Sequence, residues 1–289
     1  MPNARWLRRR LFELRIRVGA GIRPLAQPRH PGLVVSVTTY PARLDTFRLP
    51  LLSLLNQSLR AERLVVTLAE PEFPGRRLPA WLTRLARRGL VEIMWTDDNL
   101  RSYKKLIPVL RAHPDCVIVT ADDDVLYPPG WLEGLVQTAD RLPGTIVGYR
   151  ARPVCTRPDG TLRPYIEWTP DKLEGLDLTL TSASEVMLTG SGGVLYPPGA
   201  LPGEVMDVSS ALSLCPTADD VWFWAMELRT GARLAVIPPG YLDFAAPLGS
   251  QARGTLMAVN VEGGANDRQI RSVLDRFGLW PALTGKPQE

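Results

Sequence analysis

Cysteine and histidine are both scarce in this sequence. Its 289 residues include three cysteines, Cys116, Cys155 and Cys215, and only two histidines. The cysteines are odd in number, widely spaced and form no C-x-x-C pair. This pattern excludes a cysteine-based zinc site and is typical of a reducing compartment. We therefore expect a cytoplasmic protein.

Long apolar segments are also absent. No run of 18 or more apolar residues occurs, and the N-terminus has neither the apolar h-region nor the small-residue cleavage site of a secretory signal. The sequence therefore predicts neither a transmembrane helix nor export by a secretory pathway.

The chain does contain enough apolar sequence for a sizeable core. Hydrophobic residues make up 45% and charged residues 22% of the chain, which excludes a mainly disordered protein. The net charge of +4 arises at the N-terminus, where residues 1–30 carry eight arginines against Glu13. The rest of the chain is slightly acidic, which disfavours a surface that follows phosphates. We expect no nucleic-acid partner.

The N-terminal segment predicts a basic amphipathic helix. Leu7, Leu11, Leu14 and Val18 recur at helical spacing, with arginines on the other faces. Two interpretations stay open. Residues 1–23 anchor the protein on an anionic membrane surface, or the helix packs on the body of the protein or on a partner.

Downstream of this segment, short apolar runs alternate with helical patterns. The predicted strands cover residues 33–38, 64–68, 91–95, 116–120, 193–196 and 234–237. The predicted helices cover residues 50–59, 79–88, 103–112 and 218–230, with Pro50 and Pro79 in first turns. This alternation predicts an α/β fold with a Rossmann-like, mostly parallel mixed sheet and helices on both faces. Ligands of such sheets bind at the carboxyl ends of the strands.

Aspartates cluster where two of these elements meet loops. Asp122, Asp123 and Asp124 directly follow a predicted strand, and three adjacent carboxylates repel one another unless a cation or hydrogen-bond donors compensate them. Side chains alternate along a strand, so we expect Asp122 and Asp124 to project to the same side. Two hard oxygen ligands at this spacing suit Mg²⁺ or Mn²⁺ shared with a diphosphate. The structural alternative is an acidic turn cap.

This region resembles a known family of enzymes. Residues 119–128, VTADDDVLYP, resemble the D-x-D element of GT-A fold, nucleotide-sugar-dependent glycosyltransferases, especially bacterial enzymes of envelope and capsular polysaccharide synthesis. Three further segments support the resemblance in the same order along the chain. They are VSVTTYPAR at 35–43, YKKL at 103–106, and TGSGGVLY at 189–196 followed by ADDVW at 218–222.

The resemblance implies a metal-assisted transfer from a nucleotide diphosphate-sugar, with a UDP- or GDP-sugar as the expected donor. Asp124 would be the direct metal ligand, and Asp122 would be shared between the metal and the ribose or sugar. Metal held there would offset the charge that develops on the diphosphate. The residues expected around the donor are Thr39, Tyr40, Arg43, Lys104, Asp122 and Asp123. For Lys105 a solvated helix face is an equal alternative.

The resemblance also divides the chain. Residues 1–31 would form the helix and a connector, and residues 32–289 a single catalytic domain. Its first half, 32–150, would bind the nucleotide-sugar, and its second half, 151–289, a glycan or lipid-linked acceptor. Many members of the family take a further metal ligand from the second half, and Asp243, Asn260 or a water are the substitutes here.

The second pair of aspartates has two interpretations. Thr217 and Asp220 have the spacing of a capping box at the start of a helix, where the helix dipole stabilises carboxylates of any role. The resemblance instead implies that Asp220, with Asp219 beside it, is the general base of an inverting displacement. Around the acceptor it implies Gly192, Gly193 and Trp222, although glycines also permit tight turns and tryptophans on such a helix often belong to the core.

Two other functions compete with glycosyl transfer. Residues 117–125 also match the apolar strand and D-x-D of a haloacid-dehalogenase-like phosphatase, in which Asp122 would be a nucleophile and Asp219 and Asp220 would bind Mg²⁺. The order of the segments speaks against it, because three predicted strands precede the motif. A catalytically silent, membrane-associated scaffold would account for the basic N-terminal helix but not for the acidic cluster.

Overall fold

The first half of the chain forms four parallel strands. The computed structural model describes residues 28–238, 244–247 and 258–284, and before them residues 10, 13, 14 and 16. The strands are β1 (Arg29–Thr38), β2 (Arg60–Ala69), β3 (Glu92–Thr96) and β4 (Val117–Ala121). They lie in the order β3-β2-β1-β4, and each neighbouring pair is parallel. The parallel arrangement predicted from the alternating pattern is confirmed.

Four helices accompany these strands. They are α1 (Leu44–Leu55), α2 (Ala80–Arg87), α3 (Ile107–Ala112) and α4 (Trp131–Arg141). A 3-10 turn at Pro41–Arg43 leads into α1, and another at Arg101–Lys105 leads into α3.

The second half adds shorter strands to the same sheet. They are β5 (Ile146–Gly148), β6 (Ala151–Pro153), β7 (Thr181–Ser182), β8 (Val186–Leu188), β9 (Val194–Tyr196) and β10 (Arg233–Val236). The full sheet has eight strands in the order β3-β2-β1-β4-β9-β5-β10-β7, and β6 pairs with β8 separately. Strand β9 is antiparallel to β4 and β5, while β10 is parallel to β5. The sheet is therefore mixed but mostly parallel.

The helices of the second half are α5 (Val208–Leu214), α6 (Asp219–Thr230), α7 (Ala265–Phe277) and α8 (Trp280–Thr284). A π-helical turn at Ala258–Glu262 precedes α7. Helix α6 ends at Gly231, whose left-handed backbone, φ 60°, terminates it.

The core lies on both faces of the sheet. Successive strand residues alternate between two buried clusters, as Val34 and Val35 do in β1. One cluster contains α1, α2 and α4, and the other contains α6 and α7. Helices therefore cover both faces, as the sequence predicts, and the polar loops remain at the strand ends.

The start of α1 differs from the prediction. The sequence pattern placed a helix over residues 50–59 with Pro50 in its first turn, but α1 begins at Leu44 and encloses Pro50. Pro41 occupies the first turn of the preceding 3-10 turn instead. The ring of Pro50 is buried on the face that packs against the sheet, and this burial offsets the missing backbone hydrogen bond.

The N-terminal segment is described at four positions, all helical. Leu14, predicted on the apolar stripe, is 56% exposed, whereas Glu13 and Ile16 are buried. The other members of the stripe, Leu7, Leu11 and Val18, lie outside the described residues. Ile16 therefore packs on the protein itself, and its burial leaves open what the other faces of the segment contact. Within the described ranges, no helix combines the length and apolar character needed to cross a bilayer.

Candidate active site

The acidic segment lies beside the loop that follows β1. Strands β1 and β4 are paired in parallel, with Val37 opposite Ala121, so their carboxyl ends meet at one edge of the sheet. Asp122, Asp123 and Asp124 follow β4, and Thr39 follows β1. The expected meeting of the two segments at this edge is present in the structure.

Asp123 anchors the two loops to each other. The Thr39 hydroxyl donates a hydrogen bond of 2.7 Å to its Oδ2, and an Nη atom of Arg43 donates one of 2.6 Å to its Oδ1. The carboxyl group is buried, and burial raises its pKa, while Arg43 and Thr39 oppose that rise. Both carboxylate oxygens of Asp123 therefore accept hydrogen bonds from residues that follow β1, and Asp123 joins the segment after β4 to the segment after β1.

Asp122 and Asp124 lie on the side of the segment that faces solvent. Their side chains are 25% and 27% exposed, and each has one oxygen paired with a cation. Asp122 Oδ1 lies 2.9 Å from Lys105 Nζ, and Asp124 Oδ2 lies 3.2 Å from an Nη atom of Arg43. Burial and the charge of Asp122 both raise the pKa of Asp124. The two carboxylates therefore repel each other across a short distance.

This donor set fits a divalent cation in part. Among the described residues, neither Asp122 Oδ2 nor Asp124 Oδ1 has a hydrogen-bond partner, and oxygen is the ligand that Mg²⁺ and Mn²⁺ prefer. A cation between them would relieve the repulsion that raises the pKa of Asp124. No group of three or more acidic, histidine or cysteine side chains converges within the described residues. The two aspartates thus offer two open carboxylate oxygens, and the described residues add no third acidic, histidine or cysteine ligand beside them.

Lys105 joins these carboxylates to the second aspartate pair. Its Nζ lies 2.9 Å from Asp122 Oδ1 and 3.0 Å from Asp219 Oδ2, and its side chain is 7% exposed. Burial disfavours the ammonium, but Asp122, Asp219 and Asp220 outweigh it and raise the pKa of Lys105. The lysine is therefore charged and held between the two acidic segments. The sequence left Lys105 equally between a place beside the donor and a solvated helix face, and its burial shows that the solvated face is wrong.

Asp220 accepts a hydrogen bond from the loop before β9. The backbone N–H of Gly190 donates to its Oδ1 at 3.1 Å. Burial, and next the charge of Asp219, raise the pKa of Asp220 to about 7, while Lys105 opposes the rise. A carboxyl group that titrates near neutral pH is suited to accept a proton from a hydroxyl group.

The capping interpretation of these aspartates is wrong. The residue before the first turn of α6 is Ala218, and it makes no side-chain capping bond. The Thr217 hydroxyl instead donates to Asn260 Oδ1 at 2.6 Å, because the π-helical turn brings Asn260 against it. Neither Thr217 nor Asp220 completes a capping box, so a cap does not explain the acidic pair.

The glycine-rich loop at 190–193 fits closely around its neighbours. A Cβ on Gly190 would lie 2.7 Å from Lys105 Nζ and 3.0 Å from Asp220 Oδ1. Gly193 has φ 81° and leaves no space for a Cβ beside Trp131. The carbonyl of Gly192 accepts the indole N–H of Trp131 at 2.8 Å. Close approach is thus required here, but in this structure it is to the protein's own side chains.

Two predicted site residues, Lys104 and Trp222, have other surroundings, whereas Tyr40 lies beside Arg43. Lys104 is 3% exposed, and its Nζ donates to Glu72 Oε2 at 2.6 Å, at the end of β2. Trp222 is fully buried, and its indole N–H donates to the carbonyl of Val205, so the expected acceptor contact is wrong. Tyr40 is 43% exposed and lies under the guanidinium of Arg43 at 5.8 Å.

The candidates for a further metal ligand are not brought to the carboxylates. The Asn260 amide is engaged by Thr217 through both of its polar atoms. Asp243 lies outside the described residues.

Solved structures with a similar fold include a mannosyltransferase. No protein-family model and no curated protein sequence matches the chain. Mannosyltransferase PcManGT from Pyrobaculum calidifontis, in complex with GDP-Man and Mn²⁺, is 15% identical over 94% of this chain and 79% of its own, with TM-score 0.50. S. aureus TarS 1-349 with UDP is 13% identical over 72% of this chain and 58% of its own, with TM-score 0.49. TarS 1-349 with UDP-GlcNAc is 11% identical over 84% and 72%, with TM-score 0.49.

The sheet and the similarity to the mannosyltransferase structure define the class of fold. The chain has a mixed, mostly parallel sheet covered by helices and an acidic segment at the carboxyl end of β4. This is the GT-A fold, which confirms the fold predicted from the sequence.

Proposed function

We propose that the protein is a glycosyltransferase that moves a sugar from a nucleotide diphosphate-sugar to a hydroxyl group of a glycan or lipid-linked acceptor. One observation carries the proposal. Two acidic segments, Asp122–Asp124 and Asp219–Asp220, meet at one edge of a GT-A sheet with Lys105 between them. The first has open carboxylate oxygens toward solvent, and the second includes a carboxyl group that titrates near neutral pH.

The donor side is formed by the ends of β1 and β4. Asp122 and Asp124 would hold Mn²⁺ or Mg²⁺ through their open oxygens, and when bound the cation supplies positive charge to the diphosphate. Arg43 holds Asp123 and Asp124 in place and, with Tyr40 exposed beside it, would border the nucleotide. The similarity to a mannosyltransferase crystallised with GDP-Man and Mn²⁺ supports a donor and a cation of these kinds.

The acceptor side is formed by Asp220. Its carboxylate would take the proton of the acceptor hydroxyl as the new bond forms between that oxygen and the anomeric carbon of the sugar. The bond from this carbon to the diphosphate breaks in the same step, and the nucleoside diphosphate leaves. A single displacement of this kind inverts the anomeric configuration. Asp219, paired with Lys105, would position Asp220.

The cellular setting is a further part of the proposal. The motif set resembles that of envelope and capsular polysaccharide enzymes. The eight arginines of residues 1–30 would favour an anionic surface. We propose a cytoplasmic, peripherally membrane-associated enzyme.

Thermal unfolding with a panel of nucleotide-sugars tests the donor assignment. A ligand that binds the folded state raises the melting temperature. We expect one class among UDP-, GDP-, CMP- and dTDP-sugars to raise it with Mn²⁺ and not with EDTA. The shift should disappear in Asp124→Asn and persist in Asp220→Asn, which should lose only transfer. No shift with any donor, or full turnover by Asp220→Asn, would contradict the proposal.

A phosphatase is the second candidate. In such an enzyme Asp122 would be the nucleophile and a lysine would lie beside it, and Lys105 Nζ lies 2.9 Å from Asp122 Oδ1. In its reaction a carboxylate oxygen of Asp122 would attack the phosphorus of a phosphate ester, the bond from phosphorus to the ester oxygen would break, and the alcohol would leave. Mass spectrometry after incubation with a phosphate ester, Mg²⁺ and rapid acid quenching distinguishes the two. A phosphorylated Asp122 would favour the phosphatase, and glycosyl transfer predicts none.

A further inference from the structure

A cavity of about 400 Å³ lies between the loop of residues 156–164 and helix α7. Three exposed arginines line it, Arg157 and Arg163 from the loop and Arg271 from α7. We call this cavity the arginine cleft. It is distinct from the edge of the sheet that carries Asp122 and Asp124, since none of the carboxylates described above lines it.

Positive charge in the arginine cleft exceeds the negative charge that could neutralise it. Asp267 is the only carboxylate among its described lining residues, and one of its oxygens accepts the backbone N–H of Tyr165 at 2.7 Å. Arg271 has no carboxylate within 4.0 Å in the described part of the chain, whereas Arg163 pairs with Glu167 at 3.2 Å. Guanidinium groups of this kind bind carboxylates and phosphates through paired N–H groups.

Arg157 is held in position by its own loop. One Nη atom donates to the Leu162 carbonyl at 2.7 Å, and the turn from Arg157 to Thr161 is closed by a backbone hydrogen bond. The guanidinium is therefore partly ordered before any ligand binds, which lowers the entropy lost on binding.

The rest of the wall is apolar. Trp280, Ile270 and Pro164 line the cleft beside the arginines, and the indole of Trp280 is half-buried with its N–H bonded to Asp275. An aromatic face next to charged donors suits a sugar ring that carries a negative group. A free inorganic anion would use the arginines but not this apolar wall.

Two series of contacts connect the arginine cleft to helix α6, which carries Asp220, the proposed base. Tyr165, whose N–H binds Asp267, packs against the ring of Trp168, and Trp168 in turn packs against Trp224 of α6, with ring centroids 6.1 Å apart. In the second series, Gln269 of α7 accepts the backbone N–H of Thr217, which precedes α6. The cleft is therefore linked through packed residues to helix α6, which begins with Asp219 and Asp220.

We propose that the arginine cleft binds a carboxylate or phosphate group carried by the glycosyl acceptor, and so selects an anionic glycan. Anion binding by the cleft does not depend on the proposed glycosyl transfer. Only the identification of the bound molecule as the glycosyl acceptor rests on it. A sugar unit bound in the cleft would extend from the one whose hydroxyl reaches Asp220.

Direct binding tests the inference without any need for turnover. The probes are an oligogalacturonide, a glycerol phosphate oligomer and a neutral malto-oligosaccharide of matched length, titrated by calorimetry at low and high salt. We expect at least one anionic probe to bind, with weaker binding in high salt, and the neutral probe to bind at least tenfold more weakly. The anionic probe that binds identifies the carboxylate or the phosphate as the recognised group.

The variants locate the site. Arg157→Gln and Arg271→Gln should each lower the affinity for the anionic probe at least tenfold. Arg276→Gln should keep an affinity within twofold of the wild type. Arg276 is a matched control because it is an exposed arginine of the same helix that does not line the cleft. Equal binding of the neutral probe, no binding of either anionic probe, or equal effects of all three variants would overturn the inference.

Donor binding separates this inference from the proposed function. Each variant should keep the wild-type shift in melting temperature with the nucleotide-sugar and Mn²⁺. If no nucleotide-sugar raises the melting temperature of the wild type, glycosyl transfer is refuted. The calorimetry then tests anion binding by the arginine cleft independently of that function.

Discussion

Replacing Lys105 by methionine removes the positive charge between Asp122 and Asp219 while keeping most of the side-chain volume. The ammonium pairs with both carboxylates within 3.0 Å and also lowers the pKa of Asp220. Leaving a buried charge without its partner typically costs about 3–5 kcal/mol. Protonation of Asp220 can relieve part of this cost, because the pKa of Asp220 is already raised to about 7.

The expected change is therefore a further rise in the pKa of Asp220. A rise of one unit corresponds to about 1.4 kcal/mol and to roughly a tenfold smaller carboxylate fraction below the new value. In Lys105→Met we expect the titration of Asp220 to move from about 7 to about 8 or above. At pH 7 the carboxylate fraction would then fall from about one half to about one tenth or less, so the proposed transfer should fall about fivefold or more and recover as the pH is raised.

Carbon NMR of ¹³C-labelled aspartate carboxyl groups measures this titration directly, with Asp220→Asn to assign the resonance. Lys104→Met is the matched control, because Lys104 is equally buried but pairs with Glu72. It should lower stability without moving the resonance of Asp220. An unchanged titration in Lys105→Met, or an equal change in Lys104→Met, would refute the electrostatic role of Lys105.

Three other changes have distinct expected outcomes. Asp220→Asn should raise the free energy of unfolding at pH 8 by up to about 4 kcal/mol and much less at pH 4. The reason is that the folded protein loses stability as the pH rises when the pKa of a carboxyl group is higher in the folded than in the unfolded state. Denaturant unfolding at both pH values measures this, and an equal gain at both would contradict it. Gly190→Ala should lower the free energy of unfolding by about 1–3 kcal/mol and weaken the proposed transfer, because its Cβ would overlap Lys105 Nζ. The control Gly203→Ala, which has open space around its Cβ, should leave the free energy of unfolding nearly unchanged. Deleting residues 1–23 should release the protein from vesicles containing anionic lipid, as measured by co-sedimentation; unchanged binding would assign that helix to packing alone.

Local sequence pattern predicted most of the central sheet. All six predicted strands occur, because buried strands and amphipathic helices have different periods of apolar residues. Four of them agree with the observed strands within one residue at each end, whereas β1 and β2 begin four residues earlier than predicted. The position of the acidic segment after β4 was also predictable, since a loop must follow a buried strand. The start of α1 was not, because the burial of Pro50 depends on the sheet beneath it.

Pairing within the site was not predictable in the same way. Lys104 and Lys105 are adjacent and chemically identical, yet one pairs with Glu72 and the other lies between Asp122 and Asp219. Sequence reasoning assigned the site role to Lys104. The 3-10 turn at Arg101–Lys105 points the two side chains in different directions, and no local pattern distinguishes them.

The sequence by itself determined the fold class, the strand that carries Asp122–Asp124 and the helix that begins with Asp219 and Asp220, because these features depend on local periodicity. Only the tertiary structure decided that Lys105 joins the two acidic segments, that Gly190 binds Asp220, and that Trp222 belongs to the core. These contacts join segments distant in sequence. Their geometry follows from how β1, β4, β9 and α6 pack, and a linear pattern does not contain that packing.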